Sequence, residues 1–349
     1  MNEYGPNLEE RYRLVLRLLP GYYRDRWEED MVAALLDSRM TGDEDEDYYV
    51  LEYGRPGWAE SASVAGLAVR LYLGGVSTPR RYFAWGQAVR LAVLAIVLVH
   101  ATQGLADLTL LAWRRHPAAW FPPLPASRAA PAPSSAWPTV MHTADYTWLV
   151  VFLALVLGHH RTARAIASLI IAAELIVLLQ AQITDILLYP FAAWSSWFLA
   201  GLAPVLAMAA FHADAPPAAR RSWLLALPGY YLVVPVPVMV IEATGNQAWL
   251  PDSAGLGCFV VSLACLAHAP RALSRSRRAA GSGARPLALA LLAAVAGAWR
   301  IVTLGNYAHD PHLIRVSLAE LLILLVAVAV VAPDAARAQM PSPGLPIGA

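Results

Sequence analysis

The side chains able to do chemistry in this sequence are the few charged or polar groups left inside long apolar runs. Arg300 stands within the run 286–305 and Glu320 within 312–332. An ionised group in hydrocarbon is costly unless it is paired or hydrated. The two are therefore expected to pair between neighbouring helices, either to orient packing or to serve transport or catalysis. Glu174 stands near the middle of the run 165–186, followed by Gln180, Gln182, Thr184 and Asp185. His100, Gln103 and Asp107 recur at offsets of three and seven in the first run, which places them on one broad helical face. Such groups either edge a polar cavity or form buried hydrogen-bonded packing, and the sequence leaves both open. The candidate residues are His100, Asp107, Glu174, Asp185, Arg300 and Glu320. None is assigned a catalytic or cofactor-binding role.

Other donors carry less. His142 and Asp145 lie three apart, and His309, Asp310 and His312 are expected on the same side of the membrane, but so wide a spacing is not diagnostic of zinc and no metal is expected. Cys258 and Cys265, seven apart in one apolar run, would share roughly one helix face two turns apart, too far for an easy bridge. They read as small buried hydrophobes. All 26 basic residues are Arg, so a Walker A loop with its Lys is excluded. No Gly-x-Ser-x-Gly elbow, His-Glu-x-x-His helix or Cys-x-x-Cys pair occurs, and no cofactor is expected. The Arg-rich stretch Ser274–Arg278 is explained by orientation bias and attraction to anionic lipid, with no zinc-finger spacing or RNA-binding signature, so no nucleic-acid partner is expected.

The elements that must position these residues follow from composition. Of 349 residues, 58% are hydrophobic and only 15% charged, well below the roughly 25% charge of soluble domains. That excludes a disordered chain and disfavours an ordinary soluble enzyme. Eight apolar stretches occur at about 86–112, 142–158, 165–186, 190–211, 222–242, 253–269, 286–305 and 312–332. Most approach the roughly 17–25 residues that cross a bilayer. The third and fourth are separated only near Asp185 and Tyr189-Pro190; a tight external hairpin gives eight spans, and one long tilted helix would give seven. Pro228, Pro235 and Pro237 interrupt the fifth, as simple kinks or as the border of a cavity.

Arginine placement favours eight. Arg161 and Arg164, Arg220 and Arg221, and Arg271 through Arg285 fall in alternate connections, with Arg80 and Arg81 before the first span and Arg337 after the last. Basic connections mark the cytoplasmic side, so both termini are expected there. Arg114 and Arg115 are the local exception. The external segment 113–141 is rich in Pro, and Trp113, Trp120, Trp137, Trp148 and Trp249 lie near span boundaries, as in an aromatic belt.

Residues 1–80 are a different object, with 15 acidic and 9 basic residues against 10 and 17 in 81–349. Glu9, Glu10, Arg11, Arg13 and Arg17 within the first 20 residues do not form a signal peptide, so this head is expected to stay in the cytoplasm. Three helices are expected, over 8–19 with Leu14, Val15 and Leu18 on its apolar face, over about 22–39 with Trp27, Met31, Ala34 and Leu35 inward, and over about 58–73. The acidic run Gly42–Asp47 is expected to be a solvated loop. The residues Leu19-Pro20, Tyr23-Arg24, Glu28 or Glu29 and Leu35-Leu36-Asp37, followed by Arg55-Pro56-Gly57-Trp58 and the 67–74 segment, resemble the permease-prefix or HAAS-like module. That module precedes the membrane part of many bacterial proteins, and the second half resembles actinobacterial membrane proteins. The resemblance covers about a fifth of the chain. It implies a prefix to a transporter permease or other membrane protein and carries no catalytic residues.

The expected architecture is all-α: a cytoplasmic three-helix head (1–80), about eight transmembrane helices (84–333) and a disordered cytoplasmic tail (334–349). The expected partners are membrane lipids and a cytoplasmic protein met through residues 1–80. The expected function is a scaffold, sensor or regulatory membrane component, with a transporter or permease subunit as the alternative and a membrane-embedded enzyme the weakest.

Overall fold

A computed structural model describes residues 6–74, 78–115, 137–184, 201–212, 215–243, 253–275, 283–304 and 311–339. The described residues are helical, with no strand among them. The chain divides into two compact units, Met1–Gly86 and Gln87–Ala349.

The first unit holds four short helices, α1 (Leu8–Leu16), α2 (Gly21–Arg39), α3 (Glu44–Tyr53) and α4 (Trp58–Tyr72). α1 opens with a capping box, in which Asn7 Oδ1 accepts from the Glu10 N–H at 2.9 Å and Glu10 accepts from the Asn7 N–H at 3.2 Å. Leu8, Tyr12 and Leu16, one turn apart, are its buried stripe. This corrects the expected face: Leu14 and Leu18 are each 51% exposed, whereas Leu16 is fully buried and Leu19 nearly so. The helix stops at Leu16 and a turn before Pro20 swings Leu19 into the core, which a continuous helical pattern to residue 19 does not anticipate. On α2 the buried residues are Val32 and Leu35, and Trp27 is exposed rather than inward. Arg13 ties α1 to α2 by pairing with Glu29 at 2.8 Å and Glu28 at 3.5 Å.

The acidic run is the second correction. It is not a loop but the first turn of a fourth helix. Asp43 caps α3, accepting from the N–H groups of Asp45 and Glu46, and Asp47 folds back to accept from the Thr41 N–H at 2.7 Å. Four acids in the first turn face the positive end of the helix dipole. A sequence pattern of consecutive acids says only that the segment is solvated, and a solvated helix meets that condition as well as a loop does. At the other end Arg11 donates to the carbonyls of Tyr53 and Gly54 at 3.1 and 2.6 Å, closing the helix terminus.

Glu60 organises the start of α4. Its carboxylate accepts from the Gly57 N–H at 2.7 Å and from Arg39 at 2.6 Å. The Gly57 N–H, with Arg39 adding to it against the opposing effect of burial, holds this carboxyl below its ordinary value. A depressed folded pKa stabilises the fold fully above the unfolded value and is lost as pH falls through the folded one. Glu60→Ala is expected to cost about 1 kcal/mol at neutral pH. The deficit should shrink on acidification because the wild type loses the same contribution. Hydrogen exchange of the α4 amides, compared at matched pH, checks this; a deficit that grows at low pH would contradict it.

The second unit contains α5 (Arg80–Arg115, which enters from the first unit), α6 (Trp137–Leu157), α7 (His160–Thr184), α8 (Gly201–Ala210), α9 (Arg220–Val233), α10 (Pro235–Ala243), α11 (Ser253–Arg275), α12 (Ala284–Leu304) and α13 (Pro311–Gln339). One core gathers Val93, Val97, Trp148, Phe152, Ala167 and Met208 from α5 to α8, with α9 packed against it. α6 ends at Gly158, whose φ of 95° is the left-handed conformation that closes a helix and turns the chain into α7. Gly104 of α5 abuts the Asp145 backbone of α6 so closely that a Cβ there would collide. α11, α12 and α13 pack on one another around Cys258, Ala293 and Leu324, and again around Cys265, Ala327 and Val331. Both cysteines are buried thiols outside any disulfide, and Cys258 Sγ donates to the Ala296 carbonyl at 3.7 Å.

Four described helices are long and apolar enough to cross a membrane: Arg80–Trp113, Arg220–Ile241, Ala284–Leu304 and Pro311–Arg337. Asp145–Leu157, Gly201–Ala210 and Ala254–His268 are shorter apolar helices within expected spans. The residues that separate a hairpin from a long helix after α7, Asp185 included, lie outside the described residues. α9 runs through Pro228 and is interrupted at Val234, where Pro235 and Pro237 lack the N–H groups that would continue the helical ladder. α13 continues as helix through Gln339, past the boundary expected at 333, with Arg337 pairing to Asp334 at 2.6 Å. Residues 340–349 lie outside the described residues.

Candidate functional site

α13 sorts its residues by face. Ser317, Glu320, Leu324, Ala327 and Val331, at alternating steps of three and four, turn inward, while Leu318, Leu322, Ile323, Leu325, Val326 and Val330 are exposed. A water-soluble helix would place charge outward and leucine inward. Here the carboxylate is inside and the aliphatic side chains are outside.

The inward carboxylate has its partner. Arg300 of α12 forms an ion pair with Glu320, its Nη2 2.6 Å from Oε2, with the two side chains only 3% and 16% exposed. Gly255 of α11 sits against the same carboxylate, and a Cβ there would strike it. The pair therefore lies where all three helices meet. At that distance, and out of water, the attraction between the two charges is screened far less than on a surface. Ser317, one turn before Glu320, is buried and donates to the Leu313 carbonyl at 2.7 Å. At the other end of these helices His268 of α11 lies 3.6 Å from Asp334 of α13, a pair that is ionic only when the imidazole is protonated.

The remaining candidates sit in the α5–α9 group. His100 stacks on Trp148, with ring centroids 4.8 Å apart. Asp107 is half-buried one side of Gly104, and Gln103, expected on the same face, is exposed. Asp145 of α6 lies within electrostatic reach of Asp107 and of Glu174 on α7. The Glu174 carboxylate covers Gly201 of α8, where a Cβ would meet it at 3.4 Å and Ile171 at 2.7 Å. Thr109 and the Tyr231 hydroxyl of α9 share a 2.6 Å hydrogen bond.

Two arginines that sequence reasoning passed over hold α8. Arg90 of α5, buried, donates to the Ala210 carbonyl at 3.0 Å. Arg164 of α7 donates to Met208 and Phe211 at 3.0 and 3.4 Å. The last carbonyls of a helix lack intrahelical donors and carry the negative end of its dipole, so two guanidinium groups satisfy them at once. Arg90 carries a signal in the sequence, as a lone charge inside the first apolar run; Arg164 stands in an arginine-bearing connection and carries none.

The six candidates thus fall in separate places. Arg300 and Glu320 form one contact; His100, Asp107 and Glu174 line the other helix group; Asp185 lies outside the described residues. No group of three or more His, Cys, Asp or Glu that could hold a metal occurs among the described residues. His309 and Asp310 lie outside them. No family model, no curated protein and no solved structure matches the chain.

Proposed function

We propose that this chain is a multi-pass protein of a bacterial membrane, crossing it eight times, with residues 1–80 as a cytoplasmic docking head for a partner protein. The outward leucines and inward ion pair of α13 support the membrane placement, and the alternation of arginine-rich connections supports the orientation. The observation that carries the docking role is the surface of α3. This helix buries none of its residues. It exposes Tyr48, Tyr49 and Tyr53 beside Glu44, Asp45 and Glu46, and Trp58 follows at 92% exposure. Aromatic side chains supply contact area at low entropic cost and dominate interface energetics. The adjoining acids favour a basic partner surface. A resemblance to permease-prefix modules points the same way.

Photo-crosslinking tests this reading. A photoreactive residue at Tyr49 or Trp58 of the full chain in its membrane is expected to give one discrete protein adduct, and the same probe at Val69 on α4 is not. Equal labelling at all three positions would contradict a docking surface on α3. A transporter subunit is the second reading, supported by the grouping of Asp107, Asp145 and Glu174 and by the helix break at Val234.

A further inference from the structure

A cavity of about 260 Å³ opens where Leu91 of α5 and Trp223 of α9 face Ala264 and His268 of α11 and Arg285 and Leu292 of α12. Its walls are graded. Arg285 is the second residue of α12, His268 lies in the last third of α11, and Trp223 is in the first turn of α9. Arg285 and Trp223 stand at helix ends on the arginine-rich side, and His268 lies about two turns before the end of α11. Leu292 lies seven residues further along α12, about 10 Å deeper at 1.5 Å per residue. Arg285 is exposed and forms no ion pair among the described residues. The acid beside His268 is Asp334, whose charge Arg337 already offsets at 2.6 Å. The cavity therefore combines the Arg285 guanidinium, the His268 imidazole and the Trp223 indole with an aliphatic floor.

We propose that this cavity holds an anionic phospholipid, with its phosphate at Arg285 and His268 and an acyl chain against Leu91, Ala264 and Leu292. A basic pocket between spanning helices on the cytoplasmic side is the arrangement that selects anionic headgroups. The arginine fork fits a phosphate, and Trp223 sits where an aromatic ring favours the headgroup boundary. A zwitterionic lipid fills the same apolar floor without the net charge. The proposal rests on the membrane reading above.

The test uses the full chain, purified in detergent and offered equal phosphatidylglycerol and phosphatidylcholine, with retained lipids counted by native mass spectrometry. The wild type should retain phosphatidylglycerol over phosphatidylcholine by about five-fold. Arg285→Gln, which removes the charge, and Ala264→Phe, which fills the cavity from an exposed position, should each bring the ratio close to one. Arg315→Gln, an exposed arginine of α13, should leave it unchanged. No preference in the wild type overturns the proposal. So does a preference that survives Ala264→Phe, because surface charge alone would then hold the lipid. Displacement of phosphatidylglycerol by excess inorganic phosphate also overturns it, in favour of a free-anion site. Retention of the wild type in carbonate-washed membranes is measured alongside. If retention fails, the membrane reading falls; if it holds without lipid preference, this site alone falls.

Discussion

Arg300→Met, with Glu320 left in place, is expected to destabilise the detergent-solubilised protein by about 3–5 kcal/mol, because it leaves a carboxylate buried without its cation. The geometry sets this magnitude: a 2.6 Å contact between side chains 3% and 16% exposed, wedged against a glycine of a third helix. Glu320→Leu alone should cost a similar amount for the mirrored reason. The double variant Arg300→Met with Glu320→Leu should recover most of the loss, since two apolar side chains of similar size replace a desolvated pair at little net cost. Thermal unfolding of the four proteins closes the cycle. Recovery identifies a clamp between α12 and α13. Single variants as stable as the wild type would mean that the pair contributes no such clamp.

Leu16→Ala is expected to have the second large effect, confined to the first unit. Leu16 is completely buried against the α1–α4 core, and deleting such a side chain costs about 2–5 kcal/mol. A core of this size supplies only about 3–5 kcal/mol in total. The variant should therefore unfold residues 8–72 while the second unit stays intact. Limited proteolysis of the full chain reads this as rapid cleavage within those residues and survival of the remainder. Leu18→Ala, at a half-exposed position, should behave as wild type. Equal resistance of Leu16→Ala would contradict the assigned core.

These two sites differ in how legible they were. Arg300 and Glu320 were readable because charge in an apolar run has few affordable solutions, and a partner on the neighbouring helix is one of them. What could not be read was the third participant: Gly255 looks like any glycine until the Glu320 carboxylate is seen against it. In the first unit the existence of α1, α2 and α4 was legible from apolar spacing and from punctuation at Pro20 and Gly57. Which leucines turn inward was not, because that depends on where α1 stops, and a Leu-Arg-Leu-Leu-Pro sequence is compatible with several endpoints. α3 was missed because its stability comes from caps at Asp43 and Arg11 rather than from a buried stripe. Arg90 and Arg164 show the same limit: an arginine that caps a helix 44 or more positions away carries no local mark of its target.

The central claim, a membrane-embedded body with a cytoplasmic docking head, is tested most directly by protease digestion of the full chain in intact spheroplasts and in inside-out vesicles. Residues 6–74 should be protected in spheroplasts and removed in inside-out vesicles, with the body held in the membrane in both. Removal of those residues from intact spheroplasts, or release of the body from the membrane, would contradict the account.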